Sequence, residues 1–203
     1  TKAFSENDNW KLNGSKSFVI NGDSADKVII SARIDGEIND KNGIGLFLVD
    51  NNQIKNRSYN TIDGYRAAEL NFENIEAELL CKNDLALECI IKTNSAGALA
   101  LSAEAIGIMQ VCFELTLDYL KTRKQFGKSI GAFQSIQHRM VDMMLEIEQV
   151  RSAVMLASST FETNSSTRDK NVSAAKNLVG RVGKLIAEES IQLHGGIAMT
   201  WEC

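Results

Sequence analysis

The chain has 203 residues, 44% hydrophobic and 24% charged, with a formal net charge of −4, a composition that fits one large or two small globular domains. A net-negative chain without clustered Lys and Arg is not built to bind a polyanion, so nucleic acid is excluded as a partner. Cys81, Cys89, Cys112 and Cys203 lack metal-ligand spacing and only His138 and His194 could join them, so no metal site is expected and the cysteines are expected to be reduced and structural.

In chain order, residues 10–80 alternate short β-type runs with turn chemistry: KSFVI, NGDSADK, VIISARI, DGEINDKNG, IGLFLVD and a later run around AAELNFENI. Asn21-Gly22 and Asp35-Gly36 are turn pairs, and this half is expected to form a small antiparallel sheet or barrel. The period then changes. From about Leu87 to Lys121, apolar residues recur at helical spacing at Leu99, Ala103, Ile106, Phe113, Leu117 and Leu120. A second helix from about Phe133 to Glu162 carries Ile136, Met140, Met143, Ile147, Val150, Val154 and Ala157 on one face. The third, from about Lys170 to Leu193, carries Val172, Ala175, Leu178, Val182, Leu185 and Ile186. FETNSSTRDKN between the last two is polar enough for a solvent-exposed connection. The expected fold is therefore α+β: a small antiparallel β domain over 1–80, then an antiparallel helical bundle over 81–203.

Within this frame, RKQFGKSIGAFQSIQHRM from Arg123 to Met140 is the segment least explained by packing. Arg123 could simply sit with Lys121 and Lys124 at the C-terminal end of a helix, where cations are favoured. Followed by Phe126-Gly127 and by Gln134, it also offers a planar fork donor, a flat aromatic and an amide, a set suited to a nucleotide with a pyrophosphate. In QLHGG, the pair Gly195-Gly196 lets a ligand approach the backbone and leaves N–H groups for phosphate oxygens, although on spacing alone a glycine cap closing the third helix is the better account. His194 inside that motif is assigned no chemistry. In KSFVING, the run Phe18-Val19-Ile20 has the look of ordinary sheet core.

These three blocks, WKLNGSKSFVINGDSAD, RKQFG…FQSIQHR and QLHGG, resemble the acyl-CoA dehydrogenase family of flavoproteins in order and spacing, over nearly the whole chain. The resemblance implies the middle β domain and most of the C-terminal helical domain of that fold, with the N-terminal helical domain outside this chain. It implies FAD as cofactor, with Arg123, Phe126 and Gln134 reaching the cofactor, Gln192, Gly195 and Gly196 lining its diphosphate, and Phe18 and Ile20 packing on the isoalloxazine ring. Where the family commonly places Thr or Ser, Ile20 can offer only its backbone. The implied activity is α,β-dehydrogenation of an acyl-CoA thioester in fatty acid metabolism, with a carboxylate removing the α-proton. The implied partners are an electron-transfer flavoprotein and a second copy in a dimer or tetramer, or a related subunit.

No catalytic residue is assigned. In most members the Glu base lies farther beyond the Gly-Gly pair than the seven residues present here, and in a minority it falls on the first helix, where the register puts Gly97. Glu104 and Glu202 match neither position, and Ser95 and Ala98 stand where many members carry an Asp and an Arg that contact substrate. A non-catalytic FAD-binding subunit of a heteromeric enzyme and an acyl-CoA oxidase of the same fold are the alternatives. With no initiating Met and an ending TWEC, the chain is expected to be a piece of a longer polypeptide, inactive alone. No 18-residue apolar run and no signal peptide is found, which makes a cytoplasmic location the default and a membrane span unexpected.

Overall fold

Alternation of apolar and polar side chains drives the first half into strands, and the computed structural model, which describes residues 1–6 and 9–201, places six there. They are β1 (Lys2–Glu6), β2 (Asn9–Ile20), β3 (Lys27–Arg33), β4 (Ile44–Asp50), β5 (Lys55–Asn60) and β6 (Arg66–Lys82). Their order is β2-β1-β3-β4-β6-β5, and a further β2–β6 pairing closes the first five into a barrel, with β5 lying along β6 outside the ring. All pairings are antiparallel except β1 with β3, which are joined in parallel at Lys2↔Arg33. The inward face is apolar: Leu12, Ile30, Phe47, Val49, Leu70 and Phe72 form its core, each contributing about 1.5–3 kcal/mol of transfer free energy when fully buried.

Periodicity alone misses β1 and β5. KAFSE and KNRSYN are largely polar, and they form strands because a neighbour supplies the hydrogen-bond ladder, not because a face needs burying. The neighbouring strands also run longer than their apolar kernels: β2 begins at Asn9, well before KSFVI, and β6 extends to Lys82.

Helical periodicity takes over at Asp84. The helices are α1 (Asp84–Thr122), α2 (Gln134–Ser159) and α3 (Ser165–His194), and a two-residue-per-strand hairpin, β7 (Lys124–Gln125) and β8 (Lys128–Ser129), joins the first two. By compactness the chain divides into Thr1–Ile91 and Lys92–Cys203. In the second unit Met109, Leu120, Met143, Ile147, Val150, Val182 and Ile186 form the centre of the core. Two ion pairs run from α2 to α3, Arg139 Nε to Glu189 at 2.7 Å and Arg181 Nη2 to Glu146 at 2.8 Å. By length and composition α1 could span a bilayer, but it lends Leu99, Ile106, Met109, Phe113, Leu117 and Leu120 to this core.

One expectation needs correcting. FETNSSTRDKN is not all connection, because Asn164 accepts a hydrogen bond from the Thr167 N–H at 2.9 Å and starts α3 at Ser165. As a result Arg168, in a segment that composition assigns to solvent, is only 4% exposed and is paired with Asp169 at 2.9 Å. Asp169 also accepts from Ser95 Oγ of α1, and the two contacts, Arg168 first, hold its carboxyl below the ordinary value.

Candidate functional site

The chain direction of three helices brings one set of expected site residues together. α1 ends, α2 begins and α3 ends at the same end of the helical unit. The rings of Tyr119 and His194 stack at 4.5 Å between centroids, and Arg139 near the start of α2 binds Glu189 near the end of α3. His194 is further fixed by its Nδ1–H, which donates to the Ser190 carbonyl at 2.8 Å, so it is a structural bridge. This stacked pair is not visible in the sequence, since its members lie far apart along the chain.

At that end, Arg123 leaves α1. Its N–H donates to the Tyr119 carbonyl and its carbonyl accepts from Ile130 N–H, so both sides of the hairpin are anchored while the side chain is exposed. No ion pair among the described residues involves its guanidinium. The hairpin turn is Phe126-Gly127, with φ of 53° and 79°. Glycine takes that region freely, whereas a phenylalanine there is strained. Phe126 is nonetheless 87% exposed, touching Phe133 edge-on at 6.2 Å, and Lys128 Nζ lies 4.2 Å from the Phe133 ring centroid. An exposed aromatic held in a disfavoured conformation is not explained by burial. Gln134 is the first residue of α2 and is exposed, next to backbone N–H groups that have no partner within the helix.

Across the same end, Gln192 is exposed and Gly195 closes α3 with φ 70°. The expectation of free glycine N–H groups is corrected for Gly195: its N–H donates to the carbonyls of Gln192 and Ile191, so here it is a helix cap. A Cβ added at Gly195 or Gly196 would meet nothing within 4 Å, so the backbone stays open to approach from outside.

The other two expected residues, Phe18 and Ile20, belong to the β unit. Phe18 and Ile20 are 58% and 55% exposed, which corrects the core reading of FVI. The cause is a bulge: the β2–β6 register shifts between Lys16 and Val19, and Phe18 takes φ 54°. Glu69 of β6 holds this bulge. Its carboxylate accepts from the Ser17 side chain, from Tyr59 Oη at 3.0 Å and from the Phe18 N–H at 3.4 Å, and the Ser17 and Tyr59 bonds keep its carboxyl below the ordinary value. Sequence reasoning missed Glu69, whose only signal was a carboxylate inside the apolar run AAELNF.

Among the described residues no group of three metal-ligating side chains occurs. Glu104 is exposed on α1; Glu202 and Cys203 lie outside the described residues. Taken together, the helical end offers an unpaired guanidinium, an outward aromatic, two amides and an approachable glycine backbone, a donor set that fits a dinucleotide with a diphosphate.

A family model described as acyl-CoA dehydrogenase, C-terminal domain, matches residues 87–203. The chain is 31% identical over 212 residues to the long-chain specific acyl-CoA dehydrogenase, mitochondrial, of Sus scrofa, covering all of this chain and 49% of that protein. Among solved structures it is similar to butyryl-CoA dehydrogenase from Megasphaera elsdenii, with a TM-score of 0.91 at 26% identity over 100% of this chain and 55% of that one. A chain solved under the description of the electron transferring flavoprotein of Acidaminococcus fermentans gives a TM-score of 0.88 at 29% identity, over 98% of this chain and 54% of that one. The chain thus spans about half the length of the curated relatives it matches.

Proposed function

The chain belongs to the acyl-CoA dehydrogenase family, and from that premise we propose that it supplies the middle β domain and most of the C-terminal helical domain of an FAD-dependent acyl-CoA dehydrogenase. The observation that carries this reading is the convergence of exposed Arg123, Phe126, Gln134 and Gln192 with Gly195 and Gly196 at one end of the helical unit. Arg123 offers fixed fork donors to diphosphate oxygens, and a Lys there would lose the bidentate geometry. Phe126 offers a flat face, the Gln134 and Gln192 amides offer paired donor and acceptor groups, and Gly196 offers backbone without a side chain in the way. In the β unit the bulge clamped by Glu69 presents Phe18 and Ile20 outward as a flat apolar contact for a ring system. When bound, FAD supplies the acceptor for the hydride that leaves the substrate β-carbon.

Removal of the α-proton needs a carboxylate in a dry site, where its pKa rises toward that of the acidified thioester. Exposed Glu104 does not meet that requirement, and no base is assigned in this chain. The proposed substrate is an acyl-CoA thioester. An electron-transfer flavoprotein is the proposed electron acceptor, supported by the likeness to the Acidaminococcus chain, and the proposed assembly is a homo-oligomer or a pairing with a related subunit.

A second reading, a subunit that binds FAD without performing the chemistry, is favoured by one observation. On α1, Gly97 carries no functional group and has nothing within 4 Å of the place a Cβ would occupy. One experiment addresses both readings: the longer polypeptide carrying these residues is purified, its flavin content measured and acyl-CoA added anaerobically. Bound FAD that bleaches supports the enzyme reading. Bound FAD that stays oxidised, with a related chain co-purifying, supports the second, and a colourless protein contradicts both.

A further inference from the structure

Two cysteines that the flavin reading leaves unused meet within the first unit. Cys81 is the penultimate residue of β6, opposite Leu46 of β4, and is half-buried; Cys89 lies in the second turn of α1 and is exposed. Between them the chain reverses at Asn83, which has φ 58°. The Asn83 N–H donates to the Ile44 carbonyl at 2.8 Å, and its own carbonyl accepts from Leu87 N–H at 3.1 Å, so both the end of the strand and the start of the helix are fixed. Ala86, fully buried one turn before Cys89, seats the same face of the helix. This reversal turns the second turn of α1, with Cys89, back beside the end of β6, and burial, with Cys89 adding to it, pushes the Cys81 thiol up.

We infer that Cys81 and Cys89 form a redox-active dithiol, oxidised by peroxides to a disulfide that ties the second turn of α1 to the end of β6. Exposure makes Cys89 the sulfur attacked first. Its thiolate attacks the peroxide O–O bond, leaving a sulfenic acid and releasing water once the departing oxygen is protonated. The Cys81 sulfur then displaces the sulfenic oxygen as a second water, forming the S–S bond and losing its own proton. In balance, two thiols lose two electrons and two protons, and one hydrogen peroxide becomes two waters. A thiol reductant reverses the step. Cys112, packed against the bundle core, has no such neighbour among the described residues and serves as an internal control.

Trypsin cuts after Lys82 and so separates the two cysteines into peptides 67–82 and 83–92. The chain, folded and reduced, is treated with hydrogen peroxide, blocked with an alkylating agent and digested. The expected result is a disulfide-linked 67–82/83–92 pair that disappears on treatment with dithiothreitol, with Cys112 still alkylated. Peroxide products confined to sulfinic or sulfonic acid at Cys89, an unmodified Cys89, or links that run instead to Cys112 would overturn the inference. Cys81→Ser should raise dimedone capture of sulfenic acid at Cys89 above wild type, and equal capture would contradict the resolving role of Cys81. The peptide map on the wild-type chain stands whether or not that variant folds.

Discussion

Two aromatic residues in the left-handed region carry most of the information at the scale of single residues. Phe126 and Phe18 have φ of 53° and 54°, conformations that cost a non-glycine residue about 1–2 kcal/mol, and both are exposed. Strain kept where no burial repays it points to use by a ligand. Phe126→Asn, which tolerates this region, should therefore stabilise the helical unit by up to about 1 kcal/mol in urea unfolding while reducing flavin retention in the longer polypeptide; a loss of stability would show that the aromatic is structural. Gly195→Ala should instead destabilise by about 1–2 kcal/mol, because φ 70° at the α3 cap suits glycine. Glu69 makes a pH prediction. Its folded pKa is lowered by the Ser17 and Tyr59 hydrogen bonds, so its contribution is fully present above the ordinary value of 4.5 and is lost as pH falls through the lowered one. Acid unfolding of Glu69→Gln should lack that component, and an acid limb identical to wild type would remove Glu69 from the account.

At the scale of elements, legibility followed periodicity. Of the α2 positions picked by 3.6-residue spacing, Met140, Met143, Ile147, Val150, Val154 and Ala157 are the buried ones, and Ile136 is half-buried against the same core. Ile147→Ala should accordingly cost about 2–5 kcal/mol and Ile147→Val about 0.5–1.5 kcal/mol, measured by chemical denaturation of the same chain. Where a partner element decided the structure, the sequence was silent. Polar β1 and β5 are made by neighbouring strands, α3 starts early because one Asn cap outweighs the composition of its segment, and the bulge at Phe18 depends on a carboxylate from β6. Arg139 and Glu189 illustrate the same limit, since their 2.7 Å pair joins residues 50 apart in sequence. That pair is partly exposed, and a double-mutant cycle on it should return a coupling of about 0.2–1 kcal/mol.

On the scale of the whole molecule, the proposed cofactor site rests on residue types and on where the fold puts them. Arg, Phe-Gly, Gln and Gly-Gly at their spacing suggested a nucleotide, and the fold then put six of the eight expected residues at one helical end. Which N–H groups are free was not legible, because helix capping uses the one on Gly195. Exposed Leu101, Ile108 and Leu115 recur every seven residues along α1, a stripe of the kind that packs against another helix and consistent with the proposed assembly into oligomers. The most direct measurement of the central claim is FAD bound per chain in the proposed longer polypeptide, wild type against Arg123→Ala, read by flavin absorbance and by release on denaturation. The account predicts a flavin-loaded wild type and a variant that has lost most of its FAD; flavin content unchanged by Arg123→Ala would contradict it.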